Sequence, residues 1–364
     1  MNQLEEARLK INAIDKQMAA LFEERMACVG QVAEFKKERG LPIFDASREN
    51  DVIQKNTGLI KNDIFKPYYI DFLKDMMNVS KSYQHTLVEG VRVAYCGIEG
   101  AFANIAAKKI FPDGLMVPFG SFAEAYKAVE DGRCNFAVLP MENSYAGEVG
   151  QTVDLIFEGN LFVNGMYSLK VEQNLVGVKG SSLDKITKVI SHPQALSQCA
   201  NFISEHGYEK EEAANTAMAA KRVSEMHDVT VASIASAETA ELYDLQVIQK
   251  NINESDTNTT RFAVLSRTYN DSIVNKDSDV FLLMFTVKNT AGSLAKAISA
   301  IGQNGINLRV LKSRPTKTKE WQYYFYAEAD GVPSSDNAKK MIADLSSSCE
   351  TMKIVGHYSS DMHI

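Results

Sequence analysis

The feature that most constrains this 364-residue chain is the apolar pattern at its start. Leu4, Ala7, Ile11, Ile14, Met18, Leu21, Cys28, Val32 and Phe35 recur at mostly three- and four-residue spacing, which puts them on one stripe of a helix. The first glycine is Gly30, and Gly40 with Pro42 just beyond supplies the stop. The pattern predicts one helix from about Gln3 to Arg39, ~55 Å long at 1.5 Å per residue. A segment of this size cannot bury so long a stripe within itself. A second copy of the chain is the simplest partner. A short helix with Ser47 as N-cap and a third from about Asp63 to Thr86 complete the helical segment.

From Val91 the pattern changes. VRVAY, FAVLP, KVISH, VTVASIA and LQVIQ read as short buried strands, with helical stretches such as SFAEAYKAVED and LSQCANFISEH between them. This predicts an α/β domain with a largely parallel sheet, large enough for two lobes and a cleft. A polar linker near Asn270–Asp279 leads to a strand–helix–strand–strand–helix–strand order, a ferredoxin-like α+β unit. The predicted domains are 1–87, 90–268 and 278–364.

Composition excludes several classes. The net charge of −7 argues against non-specific nucleic-acid binding. No apolar run is long enough to span a bilayer, and the N-terminus lacks the apolar core of a signal peptide. Five scattered cysteines without a C-x-x-C fit free thiols in a reducing, cytoplasmic setting. Six histidines form no ligand cluster, so no metal and no cofactor are expected.

In the helical segment, Arg25 occupies a seam position between Leu21 and Cys28. It reads equally as an interface Arg paired with a Glu on a neighbour or as an anion ligand. Lys36 lies eleven residues on, ~16 Å along the axis and on nearly the same face. Arg8 is ~25 Å from Arg25 along the helix, so it can share a small ligand with Arg25 only from a second subunit. Asp45, Arg48 and Glu49 cluster at a helix start, and Ser80 and Gln84 share one helix face. Together R-x-K-I-x-A-I-D, E-R-x-x-x-V-x-x-V-x-x-x-K, D-x-x-R-E and S-x-x-x-Q resemble the all-helical, intertwined-dimer chorismate mutase. The resemblance implies that Arg8 (from the other chain), Arg25, Asp45, Arg48, Glu49 and Ser80 bind substrate, with Lys36 and Gln84 catalytic. Rearranging chorismate to prephenate needs no proton transfer. It needs the dianion gripped in its compact conformer and the ether oxygen stabilised as charge develops.

The α/β segment carries a Gly-rich turn, C-G-I-E-G-A-F-A-N, which is not a dinucleotide fingerprint. It also carries M-E-N-S (Glu142, Asn143, Ser144) after a buried strand, S-H-P-Q with Gln194, and N-T-T-R-F with Thr260, Arg261 and Phe262. The E-N-S loop is equally readable as a ligand contact or as a capped turn, and His192 reads as structural. Asn215 opens a helix as a cap. In combination these motifs resemble prephenate dehydratase. That implies two lobes like those of solute-binding proteins, Thr260 as the essential hydroxyl, and Glu142, Asn143, Ser144, Gln194, Arg261 and Phe262 around the substrate. The family's first motif usually carries hydroxyls where Ile98, Ala101 and Ala103 stand here.

The C-terminal segment resembles the ACT regulatory domain fused to such dehydratases. The resemblance implies phenylalanine binding through Ala291, Gly292, Ser293, Leu294, Asn307, Leu308, Ser313 and Arg314. Lys312 replaces the glutamate that usually begins the second motif. Arg314 reads equally as a carboxylate ligand or a strand brace, and the aromatics from Trp321 to Tyr326 read as packing. The whole implies a homodimeric bifunctional enzyme of phenylalanine biosynthesis, with feedback by phenylalanine and with pairing of dimers into a tetramer left open. Its ligands would be chorismate, prephenate and phenylalanine. The alternatives are use of arogenate in place of prephenate, or a catalytically dead amino-acid-sensing binding protein.

Overall fold

A computed structural model describes residues 2–255, 257–269, 279–316, 321–360 and 362–364. The expected linker near Asn270–Asp279 therefore lies, but for Asp279, outside the described residues. The chain forms two compact units: Met1–Arg92 with 113–115 and 131–135, and the remainder.

The first unit is helical. Helix α1 spans Gln3–Arg39, as its apolar stripe predicts. Asn2 and Glu5 form a reciprocal capping box at 2.9 Å, and Gly40 closes the helix in the left-handed conformation, φ 61°. Helix α2 spans Ala46–Thr57, and a 3-10 turn at Asp63–Phe65 leads into α3, Lys66–Glu89. The cap of α2 is Asp45, not Ser47: the Asp45 carboxylate accepts from the Arg48 N–H at 3.0 Å. Helices α1 and α2 both pack on α3. Only Ala33 of α1 is buried, while Leu4, Ile11, Ile14, Met18 and Leu21 are exposed, Leu21 at 63%.

The second unit, but for Arg92 and Leu115 at the starts of two strands, begins with β1 (Arg92–Cys96), α4 (Phe102–Ile110), β2 (Leu115–Phe119), α5 (Phe122–Glu130), β3 (Phe136–Asn143), β4 (Gly147–Glu148), α6 (Gly150–Glu158) and β5 (Phe162–Lys170). The chain then crosses to a second lobe: β6 (Asn174–Gly177), β7 (Lys188–Ser191), α7 (Pro193–Gln198), α8 (Ala200–Glu205), β8 (Glu209–Glu212), α9 (Thr216–Met226), β9 (Val231–Ala235), α10 (Ala237–Leu242) and β10 (Gln246–Gln249). It returns to the first lobe as β11 (Thr259–Ser266). The two crossings run side by side, with the Val171 N–H on Asn258 O at 2.8 Å and the Ile252 N–H on Gln173 O at 2.9 Å.

The expectation of a largely parallel sheet is corrected. Strand β3 is parallel to β1, but β11 lies antiparallel to both β3 and β5. In the second lobe β7 is parallel to β8 and β9, whereas β6 is antiparallel to β9 and β10. The antiparallel strands are those through which the chain leaves and re-enters each lobe; a buried return strand has the same apolar signature as a parallel one.

The last elements are β12 (Asp279–Thr286), α11 (Ser293–Gln303), β13 (Leu308–Pro315), β14 (Tyr323–Asp330), α12 (Asp336–Ser348), β15 (Thr351–Ser359) and β16 (Met362–His363). Through β15 they give the expected βαββαβ order, with strands side by side as β13-β14-β12-β15. Two helices cover one face over Phe281, Leu283, Phe285, Met341 and Leu345. Strand β15 continues into the sheet of the first lobe by pairing with β5 at Gly356 and Val163. A Cβ on Gly356 would stand 2.3 Å from the Val163 carbonyl oxygen, so the join requires glycine there.

Candidate active sites

In the first unit a cavity of about 280 Å³ is lined by Arg25, Lys36, Asp45, Arg48, Glu49, Ser80 and Gln84, together with Val29, Val32, Val52, Met77 and Lys81. Three helices deliver these groups: α1 gives Arg25 and Lys36, the start of α2 gives Arg48 and Glu49, and α3 gives Ser80 and Gln84. Arg25 donates to the Ser80 hydroxyl, and Ser80 donates on to the Met76 carbonyl at 2.7 Å. Burial pushes the Arg25 guanidinium below its ordinary value, the mark of a cation short of anionic partners. Lys36 spends one donor on the Ile43 carbonyl at 2.6 Å; an ammonium has three. Glu49 is paired with Lys81 at 2.8 Å, a partner the motif reading did not include. The Gln84 amide is buried, and its Oε1 has no hydrogen-bond partner among the described residues. Arg8 does not reach this cavity; it is exposed on α1.

In the second unit a cleft of about 750 Å³ lies between the lobes. Its lining comes from the β1–α4 turn (Gly97, Ile98, Ala101, Ala103), from Pro140 and Asn143 of β3, and from Thr260 and Phe262 of β11. The second lobe adds His192, Gln194, Gln198, Asn215, Thr216 and Met218, and the crossing adds Gln173. Among the described residues, this lining contains no Lys, Arg, Asp or Glu. What this lining offers an anion is dipoles: the amide N–H groups opening α4 and α9, side-chain amides and hydroxyls. Ile98, Ala101 and Ala103 add only apolar surface at one edge. His192 caps α7, its Nδ1 accepting from the Gln194 N–H at 3.2 Å, and burial lowers its pKa.

Thr260 is held by Asn143. The Asn143 Nδ2 donates to Thr260 Oγ1 at 2.9 Å and to Asn258 Oδ1 at 2.8 Å. Its Oδ1 accepts from the backbone N–H groups of Tyr145 and Ala146 at 3.0 and 2.9 Å. A hydroxyl oxygen that already accepts from Asn143 has its own proton to give.

Three of the expected residues stand elsewhere. Glu142 does not line the cleft: its carboxylate takes Lys312 at 2.7 Å and lies 3.7 Å from Arg261. The reason is a bulge. Arg261 pairs with Glu142 but Phe262 with Pro140, so Met141 is an extra residue that turns Asn143 to the cleft and Glu142 to the opposite face. Arg261 follows strand alternation away from Thr260 and makes a two-pronged pair with Glu328 at 3.0 Å. Ser144 is exposed and staples the turn to β11: it donates to Thr257 O at 2.8 Å and accepts from the Thr259 N–H at 3.0 Å. The residues that reading by motif missed are Asn258, which opens N-T-T-R-F, Gln198, four residues past S-H-P-Q, and Gln173, which lies in no quoted motif; their convergence depends on the crossing of the chain between lobes.

At the C-terminal end, Ala291, Gly292, Ser293 and Leu294 form the turn into α11, with Gly292 at φ 82°. Asn307 donates to Asp330 at 2.9 Å, Leu308 packs against the core, and Ser313 is exposed on β13. Lys312 and Arg314 share the other face of β13. Arg314 forks onto Asp154 at 2.9 and 3.0 Å and reaches Glu148 at 2.7 Å, so here it braces the strand. Gly150 makes room for it; a Cβ there would meet the guanidinium at 2.3 Å. Among the aromatics, Tyr324 is buried and stacks on Phe157 with centroids 4.0 Å apart, whereas Trp321 is exposed.

The sequence pattern of chorismate mutase type II matches residues 7–85, and that of prephenate dehydratase matches residues 93–270. A bifunctional chorismate mutase/prephenate dehydratase of Aquifex aeolicus is 28% identical over 98% of both chains. An arogenate dehydratase/prephenate dehydratase of Arabidopsis thaliana is 31% identical over 75% of this chain and 73% of its own. The solved prephenate dehydratase of Arthrobacter aurescens, in complex with L-Phe, shares the fold with TM-score 0.68 at 24% identity, over 74% of this chain and 90% of that one. Both catalytic patterns stand in the same order as in a relative matched almost end to end, and each frames one of the two cavities: the chain belongs to the bifunctional chorismate mutase/prephenate dehydratase family, which makes phenylpyruvate from chorismate for phenylalanine biosynthesis.

Proposed function

We propose the following division of labour for these two activities. Residues 1–87 form the mutase domain, 90–268 the dehydratase domain and 278–364 an ACT regulatory domain. In the mutase cavity Arg25 and Arg48 grip the carboxylates of chorismate, and Lys36 and Gln84 donate to the ether oxygen as its bond breaks. Asp45, Glu49 and Ser80 hold the site in shape and face the ring. Arg8 is supplied by a second copy of the chain, whose matching helix covers the exposed stripe of α1. The exposure of Leu4, Ile11, Ile14 and Leu21 supports that homodimer.

In the dehydratase cleft prephenate loses carbon dioxide and hydroxide. The bond to the ring carboxylate breaks, its electron pair enters the ring, and the carbon–oxygen bond at the opposite ring carbon breaks. One proton joins the departing oxygen, and the products are phenylpyruvate, carbon dioxide and water. Thr260 gives the hydrogen bond, or relays the proton, to that oxygen. The observation that carries this reading is the Asn143–Thr260 bond at 2.9 Å within a cleft whose lining, among the described residues, has no carboxylic acid. Phe262 floors the site, Gln194 and the helix N-termini meet the carboxylates, and Glu142, Arg261 and Ser144 act from outside the cleft by fixing the Asn143 turn. Thr260→Ala tests it: prephenate turnover collapses while chorismate turnover persists, and survival of both removes Thr260 from the mechanism.

Arogenate is the second reading. The Gln173 Oε1 beside the cleft has no hydrogen-bond partner among the described residues, and arogenate carries ammonium donors where prephenate carries a ketone. Comparing kcat/KM for the two substrates decides between them. Phenylalanine feedback acts through the C-terminal domain, whose β13 already touches the Asn143 turn through Lys312 and Glu142. The L-Phe held by the Arthrobacter relative supports the ligand.

A further inference from the structure

The buried amides around Thr260 form a chain with only one consistent polarity. It starts from backbone. Tyr145 and Ala146 both offer N–H groups to Asn143, so that side chain must present Oδ1 to them and Nδ2 to its other neighbours. Nδ2 then donates to Thr260 Oγ1 and to Asn258, which must answer with Oδ1. Asn258 is thereby left to donate through Nδ2, and it meets Gln198 Oε1 at 3.1 Å. The same Gln198 oxygen accepts from Gln173 Nε2 at 3.1 Å. All four amides are nearly inaccessible, at 7%, 2%, 4% and 3% exposure for Asn143, Asn258, Gln198 and Gln173. Turning any one of them sets donor against donor or acceptor against acceptor where water cannot compensate.

We propose that Asn258, Gln198 and Gln173 are positioning residues for the dehydratase step, forming with Asn143 a relay of fixed polarity that keeps the Thr260 proton available to the leaving hydroxyl. The relay joins β3, the two crossing segments and α7 of the second lobe, so the state of Thr260 is tied to how the lobes are held. The inference rests on Thr260 as the donor. No member of the relay is ionisable. Beside it, burial pushes the Cys199 thiol up to about 12, Glu254 accepts from the Asn201 N–H at 3.0 Å, and His192 lines the same cleft. Wild-type protein at each pH is therefore the reference.

The test is Asn258→Asp, an isosteric change. As a carboxylate the new side chain still accepts from Asn143 but has nothing to donate to Gln198; once protonated it regains the donor. Dehydratase kcat relative to wild type falls about tenfold or more at pH 8 and recovers as the pH is lowered, with KM little changed. Gln198→Glu keeps an acceptor toward both amides and stays within about threefold of wild type, whereas Gln198→Leu falls like Asn258→Asp at pH 8. Mutase turnover of the same samples stays normal. Wild-type kcat for Asn258→Asp at pH 8, or a loss that acid does not reverse, overturns the relay. Should that variant fail to fold, equal impairment of the two Gln198 variants overturns it. Thr260→Val is assayed alongside: if it is dead while Asn258→Asp is normal, only the relay fails, and if it is active the Thr260 reading fails with it.

Discussion

Arg314→Leu is the most demanding test of how the C-terminal domain is joined to the dehydratase. Arg314 makes two bonds to Asp154 and one to Glu148, 160 and 166 residues away in sequence. The side chains are 25% exposed for Arg314, 9% for Asp154 and 17% for Glu148, so the pairs are mostly but not wholly desolvated. Removing one partner of a fully buried pair costs about 3–5 kcal/mol, because the other charge is stranded; with this exposure about 2–4 kcal/mol is expected. At about 2–4 °C per kcal/mol for a domain of this class, the transition of the second unit falls by roughly 4–16 °C in scanning calorimetry. The mutase unit's transition stays in place. Adding Asp154→Asn removes one stranded charge while leaving an acceptor for the Tyr324 hydroxyl, so the double variant recovers part of the loss. An unchanged melting temperature for Arg314→Leu, or a double variant with purely additive loss, refutes the reasoning.

Further outcomes are expected. Lys36→Ala abolishes mutase turnover with unchanged circular dichroism and unchanged prephenate turnover; near-normal chorismate consumption contradicts the assignment. Dehydratase activity has an acid limb set by His192, whose Nδ1 must be unprotonated to cap α7. Its folded pKa lies below the ordinary 6.5, so the stability it contributes is present above that value and is lost as pH falls through the lower one. His192→Asn retains a capping acceptor and flattens the limb, and an identical pH profile would argue against it. Lys312→Glu sets two carboxylates face to face at the Asn143 turn. It lowers dehydratase kcat several-fold, and Glu142→Lys in the same chain restores it, whereas failure of the swap shows that the pair is not a strut.

What could be read from the sequence was what is local. Helix α1 follows from its spacing and stop signals, and the mutase cavity follows because its contributors lie on three helices whose faces periodicity assigns. The cap of α2 lies two residues before the Ser47 that the sequence suggests, because Asp45 and Ser47 are both good caps and only the 3.0 Å bond to the Arg48 N–H separates them. Strand alternation counted from Pro140 would put Glu142 in the cleft; the bulge at Met141 reverses the phase and cannot be seen in the string of residues. The side chains that converge on the Asn143 turn, Lys312 and Arg261, come from 170 and 119 positions downstream, and long-range pairing of that kind leaves no local trace.

The central claim is that one chain carries out two successive reactions at two separate sites, the second depending on Thr260. Following chorismate by NMR with purified wild-type and Thr260→Ala protein tests it most directly. The account predicts passage through prephenate to phenylpyruvate with wild type, and accumulation of prephenate with the variant at an undiminished rate of chorismate loss. Phenylpyruvate formed by the variant at the wild-type rate, or loss of both steps together, would contradict it.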